Sequence, residues 1–186
     1  MNSKFLNLKK EMGLAVKEDN HEKIISVLEK VLELAAVDFL TSTLVRWRIE
    51  HLLSEALSKA HSSGEFFSIL MIDVDKFKKV NDRHGHTAGD SVLQKISDII
   101  RKKIRSTDYV GRWGGEEFLI ILPSTNSDDS KIIGERLCKA IELEKLGVTI
   151  SVGAAQYKGG DKINSIVNRA DKLLYRAKKS GGNKCH

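Results

Sequence analysis

The chain reads as an α+β protein of ferredoxin-like type, with a central, mainly antiparallel sheet, flanking helices and an extra helix at the N-terminus. Three observations predict this. Short continuous apolar runs of the length of buried strands alternate with helical patterns, and their order is β-α-α-β-β-α-β-α. Two of the strands are joined through a glycine pair, which sets one antiparallel hairpin into an otherwise interleaved chain.

Taken in order, residues 22–37, EKIISVLEKVLELAAV, carry Ile24, Leu28, Val31 and Ala35 at helical spacing with charges between them, the pattern of an amphipathic helix. Two to three heptads suit either a short dimerising coiled coil or packing on the chain's own core, and the segment also reads as a linker from a preceding domain. Residues 1–37 are therefore set apart from a core domain at 38–184. DFLTST has the polar chemistry of a helix start, and residues 44–61 follow as a helix through Leu44, Trp47, Leu52, Leu53, Ala56, Leu57 and Ala60. FFSILMIDV is a buried strand, DKFKKVNDRHG a short helix and loop, and AGDSVLQKISDIIRKKIR a longer helix. DYVGRW, Gly114-Gly115 and EEFLIILP form the hairpin, the two glycines supplying the positive φ that a tight turn demands. A helix near 127–143, the strand GVTISVGAAQ and a last helix near 162–179 complete the set.

Composition narrows the function classes. The chain has 186 residues, 41% hydrophobic and 30% charged, with one proline, which fits a folded domain plus an appendage rather than a disordered chain. No apolar run approaches the roughly 18–20 residues of a membrane span, and no apolar stretch follows the N-terminal lysines as in a signal peptide, so a cytoplasmic protein is expected. Cys138 and Cys185 have neither disulfide nor metal spacing and are read as free thiols. A net charge of +6 favours an anionic partner, but the basic residues are dispersed and lack the aromatic interleaving of a single-strand binder, so nucleic acid is not expected.

The chemistry gathers at the hairpin turn. Asp73 ends an apolar run, where its carboxylate needs a partner to offset desolvation. In a ferredoxin-like sheet the first strand lies beside the hairpin, which sets Asp73 next to Glu116 and Glu117. Three crowded carboxylates repel one another unless a cation sits among them, and hard oxygen ligands suit Mg²⁺ or Mn²⁺. Alone, GGEE reads as a polar surface turn; paired with MIDVD it reads as a metal site.

These residues also carry a resemblance. RWGGEEF, MIDVDKFKKVNDRHGHTAGDSVL, TISVGAA and ADKLLYRAKKSGGN, in this order from about Asp38 to Asn183, resemble the GGDEF domain of bacterial diguanylate cyclases. The resemblance implies a nucleotidyl-cyclase palm and a nucleotidyltransferase that condenses two GTP molecules into cyclic di-GMP and two pyrophosphates across a homodimer. It implies that Asp73, the carbonyl of Val74, Glu116 and Glu117 hold the metal. One glutamate, with Glu117 preferred, would help deprotonate the ribose 3′-hydroxyl. Gly114 and Gly115 would admit the nucleotide. Asn81 and Asp90, with His86 nearby, would read guanine, whose N1–H and N2–H donors an aspartate accepts together; as bare residue types they read equally as caps and turn formers. Lys78, Lys178 and the backbone around Phe77 would meet the triphosphate. Arg105 and Asp108, in RSTD, match the family's inhibitory RxxD motif and imply product feedback, although an isolated RxxD is usually a surface ion pair.

The chain departs from the family pattern at Ser42, Thr43, Val45 and Trp47, where the family has D-x-L-T-G-L-x-N-R-R, and at Gly182, where an arginine is common. The last change removes a cationic contact to the triphosphate unless Lys179 or Lys184 replaces it. The rival to an active cyclase is thus a weak or inactive domain that serves as a receptor for GTP or cyclic di-GMP.

Overall fold

The computed structural model describes residues 3–186. The chain divides into two compact units, Met1–Val37 and Asp38–His186.

In the first unit, helix α1 (Ser3–Lys17) turns back through three residues into α2 (His21–Ala35). The Asn20 side chain starts α2 by accepting the Lys23 N–H at 3.0 Å, and Lys30 reaches Glu11 across the two helices at 3.3 Å. The sequence pattern pointed to α2 alone. The segment that forms α1 has a weak amphipathic signal, because its lysines break the apolar stripe. Val27 is buried, whereas Leu28 of the expected seam is 48% exposed, as are Ile25 (56%) and Leu32 (57%).

The second unit runs α3 (Arg46–Ser63), β1 (Phe67–Asp75), α4 (Phe77–His84), α5 (His86–Lys103), β2 (Tyr109–Arg112), β3 (Glu117–Pro123), α6 (Ser127–Leu143), β4 (Thr149–Gln156) and α7 (Ile163–Lys179). The four strands form one antiparallel sheet of order β2-β3-β1-β4, the ferredoxin-like arrangement with β1 at its centre. Because strand side chains alternate, β1 feeds two cores. Leu70, Ile72 and Val74 meet Leu93, Ile96, Leu137 and Ile141 of α5 and α6. Phe67, Ile69 and Met71 meet Leu53 of α3 and Ala170 and Leu174 of α7. Asp73 continues the second series and so emerges on the α7 face.

Two local expectations change, and one feature was not foreseen. DFLTST does not cap a helix: Asp38 accepts the N–H (2.9 Å) and hydroxyl (2.7 Å) of Thr41, Ser42 takes φ 54°, and α3 starts later, at Val45, with no side-chain cap. Neither Gly114 nor Gly115 has positive φ. The turn is closed instead by Trp113 and Gly114 N–H groups that donate to the Glu117 carbonyl at 2.8 and 3.3 Å. Finally, the tail pairs with the β4 edge, with the Val152 N–H donating to Lys184 at 2.9 Å and the Ala154 N–H to His186 at 2.7 Å. Cys138 and Cys185 are buried, unbridged thiols, both pushed up to about 12 by burial. Among the described residues no helix is long and apolar enough to cross a membrane.

The tightest joint is between β4 and α7. A Cβ at Gly153 would fall on the Ala170 carbonyl and the Leu174 N–H, backbone atoms that cannot swing aside. Gly153→Ala should therefore destabilise the fold by about 3 kcal/mol, the upper range for overpacking, and lower the urea midpoint in an equilibrium denaturation measurement.

Candidate active site

The site is assembled by the register of β1. Asp73 lies opposite Glu117 of β3 on one side and Ser151 of β4 on the other, and the Val74 N–H donates to the Glu116 carbonyl at 3.3 Å. Directly opposed residues share a face of the sheet, so the Asp73 and Glu117 side chains emerge together, towards α7. From α7, Lys178 places its Nζ 2.6 Å from Asp73 Oδ2, an ion pair whose carboxylate is 8% exposed.

The electrostatics are those of too many carboxylates and too few cations. Burial raises Asp73 above the ordinary carboxylate range, against the hydrogen bond and charge of Lys178, while Asp75 pushes it further up. Burial also raises Glu116, with Asp73 adding repulsion. Glu117 is raised by burial, then by Asp73, Asp171 and Glu116, with only Lys178 opposing. Asp171, itself raised by burial, was absent from the sequence reading. Its spacing of seven residues from Lys178 on one helix was the available signal, since that interval returns to the same face.

The turn that holds the glutamates is pinned from outside. Arg112 donates through Nη2 (2.7 Å) and Nε (3.1 Å) to the Gly115 carbonyl and through Nη1 to Asp38 at 3.3 Å. Burial pushes Asp38 up, but the Thr41 hydroxyl and N–H together with Arg112 more than offset it, leaving its carboxyl below the usual range. A Cβ at Gly114 would stand 2.5 Å from Glu117 Oε2, the far end of a side chain able to swing aside, and at Gly115 a Cβ would meet nothing within 4 Å.

Around this group the other expected residues fall into sets. Phe77 is buried at the start of α4 and contributes packing there, leaving its backbone for any ligand; Lys78 follows it, exposed. Asn81 packs against Gly89, where a Cβ would collide with its side chain, so α4 and α5 bring Asn81 beside Asp90. Asn81 Oδ1 is buried against Gly89 of α5 with no partner. Asp90 and His86 are exposed on the opening turns of α5. Arg105 and Asp108 sit at the other end of β2 from the glycine turn. Arg105 is exposed, whereas Asp108 is buried, its Oδ2 accepting the Arg105 N–H at 2.7 Å and its Oδ1 unpartnered.

No group of three or more His, Cys, Asp or Glu side chains forms a ready metal cage among the described residues. The donor set nevertheless fits a hard divalent cation: Asp73 and Glu117 share a face, Glu116 adjoins them, all are raised by burial and repulsion, and Lys178 is the one cation acting on all three.

Comparison with known proteins identifies the family and the fold. The family model for the diguanylate cyclase GGDEF domain matches residues 35–184. Diguanylate cyclase A of Treponema denticola is 39% identical over 166 residues, covering 83% of this chain and 45% of its own length. The coiled coil and GGDEF domain of DgcB from Caulobacter crescentus, solved in complex with c-di-GMP, superposes with a TM-score of 0.82 at 28% identity, covering 94% of this chain and 97% of that one. Diguanylate cyclase SiaD of Pseudomonas aeruginosa, solved with its activator SiaC, has a TM-score of 0.77 at 33% identity, covering 98% of this chain and 79% of that one. The chain spans less than half the length of the curated relatives it matches, 45% of the Treponema protein and 26% and 38% of two others.

The raised carboxyls give a pH signature. A carboxyl whose folded pKa exceeds its unfolded value binds more protons when folded, so its stability penalty grows as pH rises through the interval above 4.5, the glutamate reference, and is fully present at neutral pH. Without metal, Glu117→Gln should melt higher than the parent protein at pH 7, and the gap should close as the pH is lowered towards 4, as followed by thermal denaturation.

Proposed function

The chain belongs to the GGDEF diguanylate cyclase family, and from that premise we propose that it condenses two GTP molecules into cyclic di-GMP with release of two pyrophosphates. The observation that carries the reading is the burial-raised carboxylate group of Asp73, Glu116 and Glu117 around Lys178 at the β2–β3 turn.

In this reading Asp73, the Val74 carbonyl, Glu116 and Glu117 hold Mg²⁺ or Mn²⁺, which when bound neutralises charge developing on the reacting phosphate. Glu117 takes the proton of the ribose 3′-hydroxyl. The 3′-oxygen then attacks the α-phosphorus of the second GTP, the bond to the β-phosphate oxygen breaks and pyrophosphate leaves. A second round with the roles exchanged closes the ring. Gly115, with open space where a Cβ would stand, lets the backbone approach the nucleotide. Lys78 and Lys178 meet the phosphates. Asn81 and Asp90, with His86 nearby, read guanine: Asp90 accepts the N1–H and N2–H donors together, and adenine does not offer that pair.

Each chain offers one such site, so the two GTP molecules come from two chains facing each other. We assign residues 1–37 to holding that homodimer or linking it to a sensor, supported by the exposed Ile25, Leu28 and Leu32. Arg105 and Asp108 form a separate product-binding site in which the unpartnered Asp108 Oδ1 accepts guanine donors. The receptor reading has one observation in its favour: Gly182 stands in the loop after α7 where the family commonly has an arginine, so no guanidinium is offered there.

With purified protein, GTP and Mg²⁺, cyclic di-GMP and pyrophosphate should form at a rate that rises more steeply than linearly with protein concentration. Glu117→Ala should lower that rate by at least about a hundredfold, as loss of a group acting at the transition state does. No product at high concentration together with retained binding of cyclic di-GMP would move the chain to the receptor class. Arg105→Ala should weaken product inhibition about tenfold while leaving the initial rate unchanged, measured by titrating cyclic di-GMP into the assay.

A further inference from the structure

Helices α5 and α6 leave a groove of about 520 Å³ between them on the outer surface of the second unit. Leu93, Ile96 and Ile100 of α5 face the core, and Lys95, Ile99 and Lys102, spaced by four and three residues, form the neighbouring stripe along the same helix. Arg136 of α6 donates through Nη2 to the carbonyl of Lys103, the last residue of α5, at 2.9 Å. The two helices therefore run antiparallel, and the groove extends from that bond to the end of α6. Its floor is apolar: Ile99 and Leu146 are half-buried on the core, Ala140 lies between them, and Leu143 is 68% exposed. A leucine so exposed in a recess is apolar surface with nothing of this chain to cover it.

The rim carries the charge. Among the described residues Lys95, Lys102 and Lys103 have no ion-pair partner. Of the two carboxylates that line the groove, Asp98 is held by Arg101, which leaves Glu144 alone against three ammonium groups. The negative end of the α5 dipole accounts for Lys102 and Lys103 in its last turn, but Lys95 stands two turns earlier, beyond the reach of that effect. An apolar floor is of no use to a free phosphate, and the lining holds no aromatic ring on which a base would stack. The recess is concave, so a flat bilayer does not fill it. A third helix does, its apolar side laid between the two and its charged flank on the lysines.

We infer that the α5–α6 groove docks an acidic amphipathic helix of a partner protein. Apolar anchors of that helix at i, i+3 or i+4 and i+7 cover Leu143 and the floor beside it, and its carboxylates meet Lys95 at one end and Lys102 and Lys103 at the other. From residue 95 to residue 103 α5 rises about 12 Å, roughly two helical turns, so the matching carboxylates lie about two turns apart on the partner. The surface stands apart from the carboxylate group and serves recognition whether or not the chain makes cyclic di-GMP.

The test uses the full chain and two labelled synthetic peptides of about 18 residues, long enough to hold a helix. Both carry leucine at i, i+3, i+4 and i+7; one is flanked by glutamates and the other by lysines. By fluorescence anisotropy the glutamate peptide should bind at least about tenfold more tightly than the lysine peptide, and Leu143→Asp should weaken it by about tenfold. The Lys95→Glu/Lys102→Glu/Lys103→Glu variant should reverse the preference between the peptides. Should that variant not fold, Lys95→Glu alone carries the same comparison with a smaller shift. Equal affinities for the two peptides, or an affinity that Leu143→Asp leaves unchanged, overturns the inference. Two further measurements bear on the occupant. Sedimentation with phosphatidylglycerol vesicles that is lost in the triple variant, from a parent chain that does not distinguish the peptides, gives this face to a membrane and overturns the inference. A fall in molar mass on Leu143→Asp, read by light scattering, gives the groove to a second copy of the chain and overturns it equally.

Discussion

Everything at the candidate site depends on one buried carboxylate meeting one ammonium. Asp73 stands at the end of the central strand, where the alternation of β1 sends it to the α7 face, and taking such a charge out of water without a partner costs several kcal/mol. Lys178 supplies the partner from α7, which is held against β4 by the glycine at 153. The ion pair therefore couples strand register, helix docking and site electrostatics. A slip of one residue in β1 would turn Asp73 into the opposite core and Ile72 into the site.

The pair is also incomplete as a charge balance. Lys178 offsets part of the burial of Asp73 and some of the repulsion on Glu116 and Glu117, yet all three carboxyls remain raised. A site left in this condition favours whatever brings positive charge. The fold tolerates it because the turn is fixed by contacts outside the cluster: Arg112 grips the Gly115 carbonyl, and Asp38, lowered by Thr41 and Arg112, grips Arg112. The strain of crowding is thus borne by the sheet and the Asp38 turn rather than by the glutamates moving apart.

Much of this was legible in the sequence, and the reasons differ by element. The strands of the core and helices α3 to α7 follow from continuous apolar runs and helical periodicity, and the pairing of Asp73 with the glycine turn follows from topology. Helix α1 was missed because its periodicity is weak and its register is set by packing on α2. The glycines at 114 and 115 were read for positive φ, which neither takes; residue type alone does not reveal which glycines use that freedom. DFLTST looked like a helix cap because Asp, Ser and Thr serve turns and caps through the same side-chain to backbone hydrogen bonds. Which one forms is decided by Arg112, distant in sequence. Asp171 and the Asn81–Gly89 contact likewise arise only when two helices are docked.

The residues that depart from the family pattern weigh differently once their places are known. Ser42 holds a left-handed backbone, which costs a non-glycine residue about 1 kcal/mol, and Val45 begins α3 with no side chain able to cap it, a loss of similar size. These charges fall on the stability of the segment leading into α3. Thr41 and Thr43 still bond to each other at 2.8 Å, and Asp38 still reaches Arg112, so the support of the glycine turn survives them. Gly182 is a different matter, because its position adjoins Asp75, two residues from Asp73, and it shapes the loop that leaves α7. A side chain there would crowd the carboxylate that ties β1, β4 and the tail together through Thr149, Ser151 and Asn183. The loop after α7 is thereby a compact joint whose backbone, φ 75° at Gly182, favours glycine.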